Sequence, residues 1–168
     1  MPTKSPLHPL LDEINRAAQA GLPFLAVTMT VTLPDICVSL ASEDGRSNRD
    51  RYKNWCANHL GEGFSFLTPD DLYSIRCGVV HNGRFGDLQH NVERVIFALP
   101  DGNSFQNCQI GDAYFYSVVD FCRNFTGAVD AWFETNKDAT IVQQNLPKLM
   151  QYRVGGFAPY IGGATVLA

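Results

Sequence analysis

Phe115, Val118, Val119, Cys122, Phe125, Val129, Trp132 and Phe133 hold helical spacing over about six turns. A one-faced stripe of that length needs other helices to cover it, and this requirement constrains the chain more than any other feature. The spacing predicts a long last helix over about 112–136. Gly127 within it predicts a close approach by a neighbouring helix.

Partners for that stripe lie upstream. Leu7, Leu10, Leu11, Ile14, Ala17 and Ala18 form a second one-faced pattern that stops at Gly21. The run from Pro23 to Ser42 reads two ways. Val27, Met29, Val31 and Leu33 alternate with threonines like a strand, but the apolar content continues to Leu40 without a turn, and that length selects a helix kinked or restarted at Pro34. Tyr52, Trp55, Cys56, His59 and Leu60 make a further stripe over 46–60. Residues 68–82 carry strong end signals: Thr68 to cap, Pro69 at the first helical position, Asp70 and Asp71 against the dipole, and Asn82-Gly83 to stop.

Between the last two of these helices, ERVIFALP and FQNCQI flank Asp101-Gly102 and read as a β-hairpin over about 93–110. A weaker helix is expected over 140–151. Residues 153–168 are glycine-rich and aperiodic, and no regular structure is expected there. The fold class is therefore mainly all-α: one domain over 1–152, a four-helix up-and-down-type bundle with a small hairpin insertion before the last long helix, then a C-terminal tail.

With 168 residues, 45% of them apolar and 18% charged, the chain has globular composition. Its net charge of -4 argues against a surface built to grip long duplexes, but leaves room for a local anion site. Cys37, Cys56, Cys77, Cys108 and Cys122 are odd in number and form no CxxC pair, which reads as free, buried thiols in a reducing cytosol. Cysteines and histidines do not cluster at ligand spacing, so no metal and no cofactor are expected. Asp12 and Glu13 interrupt the opening stretch, so no secretory signal is expected. The run Leu22–Leu33 is too short and too rich in threonine for a membrane span, and a cytoplasmic location is expected.

Helix 68–82 contains the chemically unusual position. Counted from Leu72 at 100° per residue, Arg76 falls near 40°, inside an arc set by Leu72, Ile75, Val79 and Val80. A guanidinium there needs a partner or a polar cavity. Its i±3 and i±4 neighbours are not acidic, which leaves Asp120, Asp130 or Glu134 on the last helix as candidate carboxylates. His81, in the final turn, suits the negative end of the dipole. Arg46, Arg49 and Lys53 fall within about 60° of arc on one flank of 46–60, as a solvated face or as a basic strip beside a groove.

The segment Arg76-Cys77-Gly78-Val79-Val80-His81, late in a helix of an α-bundle and followed by Asn82, resembles the R-x4-6-H motif of the HEPN superfamily. That resemblance implies a compact, mostly dimeric helical bundle, in many members a metal-independent endoribonuclease acting as a toxin or defence effector. On this reading Arg76 stabilises the phosphate, His81 transfers the proton, Asn82 orients phosphate or ribose, and Arg46, Arg49 and Lys53 widen the cleft for RNA. The implied partners are a second copy of the chain, RNA, and an antitoxin or other protein. Active members commonly carry Asn, Asp or His directly after the arginine, and here that residue is Cys77. The alternative is a non-catalytic HEPN-like module with Arg76 in a structural salt bridge. Residues five apart on a regular helix diverge by about 140°, so Arg76 and His81 are expected to meet only if the helix loosens or the site is shared across a two-fold axis.

Overall fold

A computed structural model describes residues 5–61, 66–85, 94–100 and 107–168. Its elements are α1 (His8–Gln19), α2 (Pro23–Leu40), α3 (Arg49–His59), α4 (Pro69–Asn82), β1 (Arg94–Ala98), β2 (Cys108–Ile110), β3 (Ala113–Ser117), α5 (Val118–Asn136), α6 (Thr140–Asn145), a 3-10 turn (Leu146–Lys148) and four two-residue strands, β4 (Tyr152–Arg153), β5 (Gly156–Phe157), β6 (Ile161–Gly162) and β7 (Val166–Leu167). The protein is mainly helical, with three small sheets among the described residues.

α2 is the hub. It packs against α1, α3, α4, α5 and α6, and Ala26, Val27, Thr30, Val31, Leu33, Cys37 and Leu40 are buried on it. A helix covered on several sides is apolar on several sides, which is why its sequence lacks a single stripe. Two of its threonines are hydrogen-bonded, one within the helix and one across to α5. The Thr32 hydroxyl donates to the Met29 carbonyl (2.8 Å) and the buried Thr30 hydroxyl donates to Cys122 Sγ (3.2 Å). The helix runs through Pro34 without a break. It is also the one described helix long and apolar enough by composition to cross a membrane, and half of it is buried within the chain. The core joins Leu11, Ile14, Val31, Tyr52, Leu72, Ile75, Phe121, Phe125 and Val129.

The last long helix is shorter than its stripe. α5 starts at Val118, with Ser117 as N-cap accepting from the Asp120 amide (3.3 Å), and residues 113–117 are strand β3. Phe115 fits the helical period by coincidence, and AYFYS favours a strand because its aromatic side chains pack on a pleated surface. The expected hairpin is corrected with it. β1 pairs in parallel with β3 and β2 pairs antiparallel with β3, in the order β1-β3-β2. The tight turn is Gly111-Asp112, joining β2 to β3. The Asp101-Gly102 turn lies outside the described residues. Gly127 is exposed with open space where a Cβ would stand, so no described helix approaches it closely.

The weaker helix resolves into α6 and the 3-10 turn. From α6, Asn145 Nδ2 donates to the carbonyls of Leu40 (3.1 Å) and Ser42 (2.9 Å), capping the end of α2. The glycine-rich tail is ordered, against expectation: β4 pairs with β7 and β5 with β6, giving a nested ribbon. Strands of two residues have no readable period. Gly156 is required there, since a Cβ would stand 2.2 Å from the Ile161 carbonyl oxygen.

Candidate functional site around Arg76 and His81

α4 is held at both ends as its sequence specifies. The Thr68 hydroxyl accepts from the Asp71 amide (3.2 Å) and Asp71 Oδ2 accepts from the Thr68 amide (2.9 Å), a complete capping box. Gly83 closes the helix in the left-handed region (φ 64°, ψ 28°), and the Arg84 amide donates to the Gly78 carbonyl (3.2 Å).

The buried face between those ends carries Asp71, Leu72, Ser74, Ile75 and Gly78. Arg76 lies at the edge of that face rather than inside it, and Val80, expected within the arc, is exposed. The Arg76 side chain keeps 23% of its accessible surface and reaches across to α2, where Nε donates to Asp35 Oδ2 (2.8 Å); the Asp35 side chain keeps 19%. The expected partners on α5 are thereby corrected: Asp120 holds Arg123 (3.1 Å) and Glu134 holds Lys137 (2.6 Å). Burial works against the Arg76 charge, but the hydrogen bond and field of Asp35 outweigh it and lift the guanidinium above its ordinary value. Asp35 had a readable signal. It is the sole acidic residue in the 18 residues of α2, and a lone carboxylate in an apolar helix requires a cation from another element.

His81 meets Arg76 within one chain. Arg76 Nη1 lies 3.4 Å from His81 Nε2, while α4 stays helical through Asn82. The length of the arginine side chain closes the angle that the helix opens, so neither a loosened helix nor a second subunit is needed for contact. A guanidinium only donates. A hydrogen bond between the two therefore requires the tautomer in which His81 Nε2 is the acceptor. Cys77 also joins the cluster, with Sγ 3.9 Å from Arg76 Nη1 and a hydrogen bond to Tyr73. His81 and Asn82 are exposed, and no described residue is hydrogen-bonded to the Asn82 side chain.

The basic strip is altered. Arg46 precedes α3 and lies in the loop before its N-cap, Asn48; its amide donates to Asp44 Oδ1 (3.0 Å) and its carbonyl accepts from Arg51 Nη1 (2.9 Å). Arg49 Nη2 (3.3 Å) and Lys53 Nζ (2.9 Å) converge on Asp70 Oδ1. The hydrogen bond from Lys53, with help from Arg49, holds the Asp70 carboxyl below its ordinary value.

Two depressions flank this cluster. A cleft of about 500 Å³ lies between α2, the loop after it, α4 and the 3-10 turn; Asp35, Ser39, Asn48, Tyr73, Arg76 and Lys148 form part of its wall. Tyr73 and Lys148 were not singled out from the sequence, and nothing local marks them. An apolar groove of about 290 Å³ lies by Gly83, lined by Phe24, Val27, Val79, Phe85, Phe97 and Leu99. Among the described residues, no three His, Cys, Asp or Glu side chains gather as metal ligands would. Compared with known proteins, the chain matches no family model, no curated protein and no solved structure.

Proposed function

We propose that the protein is a HEPN-like, metal-independent endoribonuclease of the toxin or defence type, a cytoplasmic homodimer built on a four-helix up-and-down-type bundle. The observation that carries this reading is the 3.4 Å approach of Arg76 Nη1 to His81 Nε2 at an exposed helix end. A neutral imidazole beside a permanent cation is the pair that transesterification of RNA needs. As substrate displaces Arg76 from His81 Nε2, that nitrogen takes the proton of the ribose 2′-hydroxyl. The 2′-oxygen attacks the adjacent phosphorus, and the bond to the 5′-oxygen breaks. That oxygen takes a proton from water, and a 2′,3′-cyclic phosphate remains. Arg76 stabilises the charge that builds on the phosphate oxygens, and Asn82 orients phosphate or ribose by hydrogen bonding. Exposed Leu22, Phe24, Leu25, Val80, Phe85 and Leu99 support a homodimer, since this apolar surface includes the groove beside Gly83.

A second reading rests on its own observation. The 2.8 Å bond from Arg76 to Asp35 joins α4 to α2, and a non-catalytic binding module would keep it for structure alone. The test is incubation of purified protein with RNA in chelator, beside Arg76→Ala and His81→Ala. Cleavage in the wild type and loss in both variants is expected. Cleavage that persists unchanged in both variants removes the proposed site, and a wild type that leaves RNA intact selects the binding module.

A further inference from the structure

We infer that the cleft between α2, the loop after it, α4 and the 3-10 turn holds one nucleotide of RNA, the neighbour of the phosphate on which Arg76 and His81 act. This rests on the ribonuclease reading and names the subsite that reading lacks.

Arg76 connects the two places. It stands in the wall of the cleft, and its Nη1 touches His81, which is outside that wall. With Nε bound to Asp35, its Nη2 is hydrogen-bonded to no described residue. A phosphate seated on that edge of the guanidinium leaves the adjoining nucleotide facing the cleft. The volume of about 500 Å³ lies within the range of small-ligand pockets.

The wall suits a nucleotide. Asp35 is neutralised by Arg76, whereas exposed Lys148 has only an uncharged acceptor, Asn145 Oδ1 (2.9 Å). The cleft therefore presents one uncompensated cation among these side chains, which selects an anion. Tyr73 adds an aromatic wall, held edge-on by Tyr52 (centroids 5.4 Å apart) and by the Arg49 guanidinium 5.8 Å from its ring centre. A fixed ring packs against a base without reading its sequence. A cation for phosphate, a ring for the base, and a shared arginine at the mouth describe single-stranded RNA better than an apolar ligand or a duplex.

The probe is a fluorescent RNA oligonucleotide with 2′-O-methyl riboses, which binds but is not cleaved. Its anisotropy is read with the wild type, Lys148→Glu, Lys148→Ala, Tyr73→Leu and, as a control on α1, Arg16→Glu. Thermal unfolding confirms that each variant folds, and exposed Lys148 gives two variants that leave the core intact. Expected are roughly tenfold weaker binding for Lys148→Glu, a smaller loss for Lys148→Ala and Tyr73→Leu, and wild-type binding for Arg16→Glu. Wild-type affinity in both Lys148 variants overturns the inference. So does a free nucleoside monophosphate that binds as tightly as the oligonucleotide, since the occupant is then a free nucleotide. Cleavage of ordinary RNA is scored separately. Binding that depends on Lys148 without cleavage keeps the subsite and refutes the nuclease; cleavage with binding indifferent to Lys148 does the reverse.

Discussion

Arg76 and Asp35, 41 positions apart, share a 2.8 Å hydrogen bond that joins the edge of α4 to the hub helix α2. The bond uses Nε alone, so one side chain braces two helices and still offers its Nη groups to His81 and to the cleft. A structural and a chemical role are compatible in this geometry.

Removing either partner leaves a mostly buried charge alone. Asp35→Ala and Arg76→Ala are each expected to destabilise the fold by about 1–3 kcal/mol, below the range for fully buried pairs because both groups keep some solvent. The double variant should cost less than the sum by at least about 0.5 kcal/mol. Denaturant unfolding of the four proteins measures this, and strictly additive losses would show that the bond contributes nothing.

Gly83 holds the end of α4 that presents His81. At φ 64° a side chain is strained, so Gly83→Ala is expected to cost about 1 kcal/mol, whereas Gly83→Asn should cost less because asparagine tolerates this region. Under the proposed function, Gly83→Ala also lowers the cleavage rate as His81 frays. A melting temperature equal to wild type in Gly83→Ala would contradict the capping role.

Local chemistry was legible in the sequence and distant pairing was not. Thr68, Asp71 and Gly83 act on residues within a few positions, and their spacing fixes their role. α2 was legible from length alone. Asp35 escaped because its partner lies in another helix, although its isolation among apolar neighbours marked it. β3 escaped for the same reason: its ladder to β1 crosses the chain, while Phe115 satisfies a helical period that only that pairing overrides. The strip of Arg46, Arg49 and Lys53 assumed one continuous helix, and Asn48 starts that helix after Arg46.

The thiols give a pH test. Burial raises Cys37 well above its ordinary value and pushes Cys56 up to about 12. Their neutral forms are favoured by the fold, so the stability they contribute is complete below the unfolded value of about 8.5 and is lost as pH rises toward the folded value. Denaturation midpoints should fall from pH 8 to pH 10.5, and fall less in Cys56→Ala. At neutral pH, iodoacetamide should label half-buried Cys77 and Cys108 before buried Cys37, Cys56 and Cys122. Equal labelling of all five in the native protein would contradict this packing.

Asp70 restrains the surface that the proposed function assigns to RNA. Its carboxylate takes both Arg49 and Lys53, so two of the three predicted RNA-binding cations face a negative charge. Asp70→Asn keeps the shape and releases both. Oligonucleotide affinity should rise, and the dependence of log affinity on log salt should steepen by about 0.7 for each added phosphate contact. The same substitution tests the carboxyl itself. Its lowered value means that it stabilises the fold above about pH 3.9 and loses that contribution as pH falls, so the variant's melting temperature should decline less than the wild type's between pH 5 and pH 3. An unchanged salt slope with an altered acid limb would confine Arg49 and Lys53 to holding α3 against α4, and would place RNA contact elsewhere.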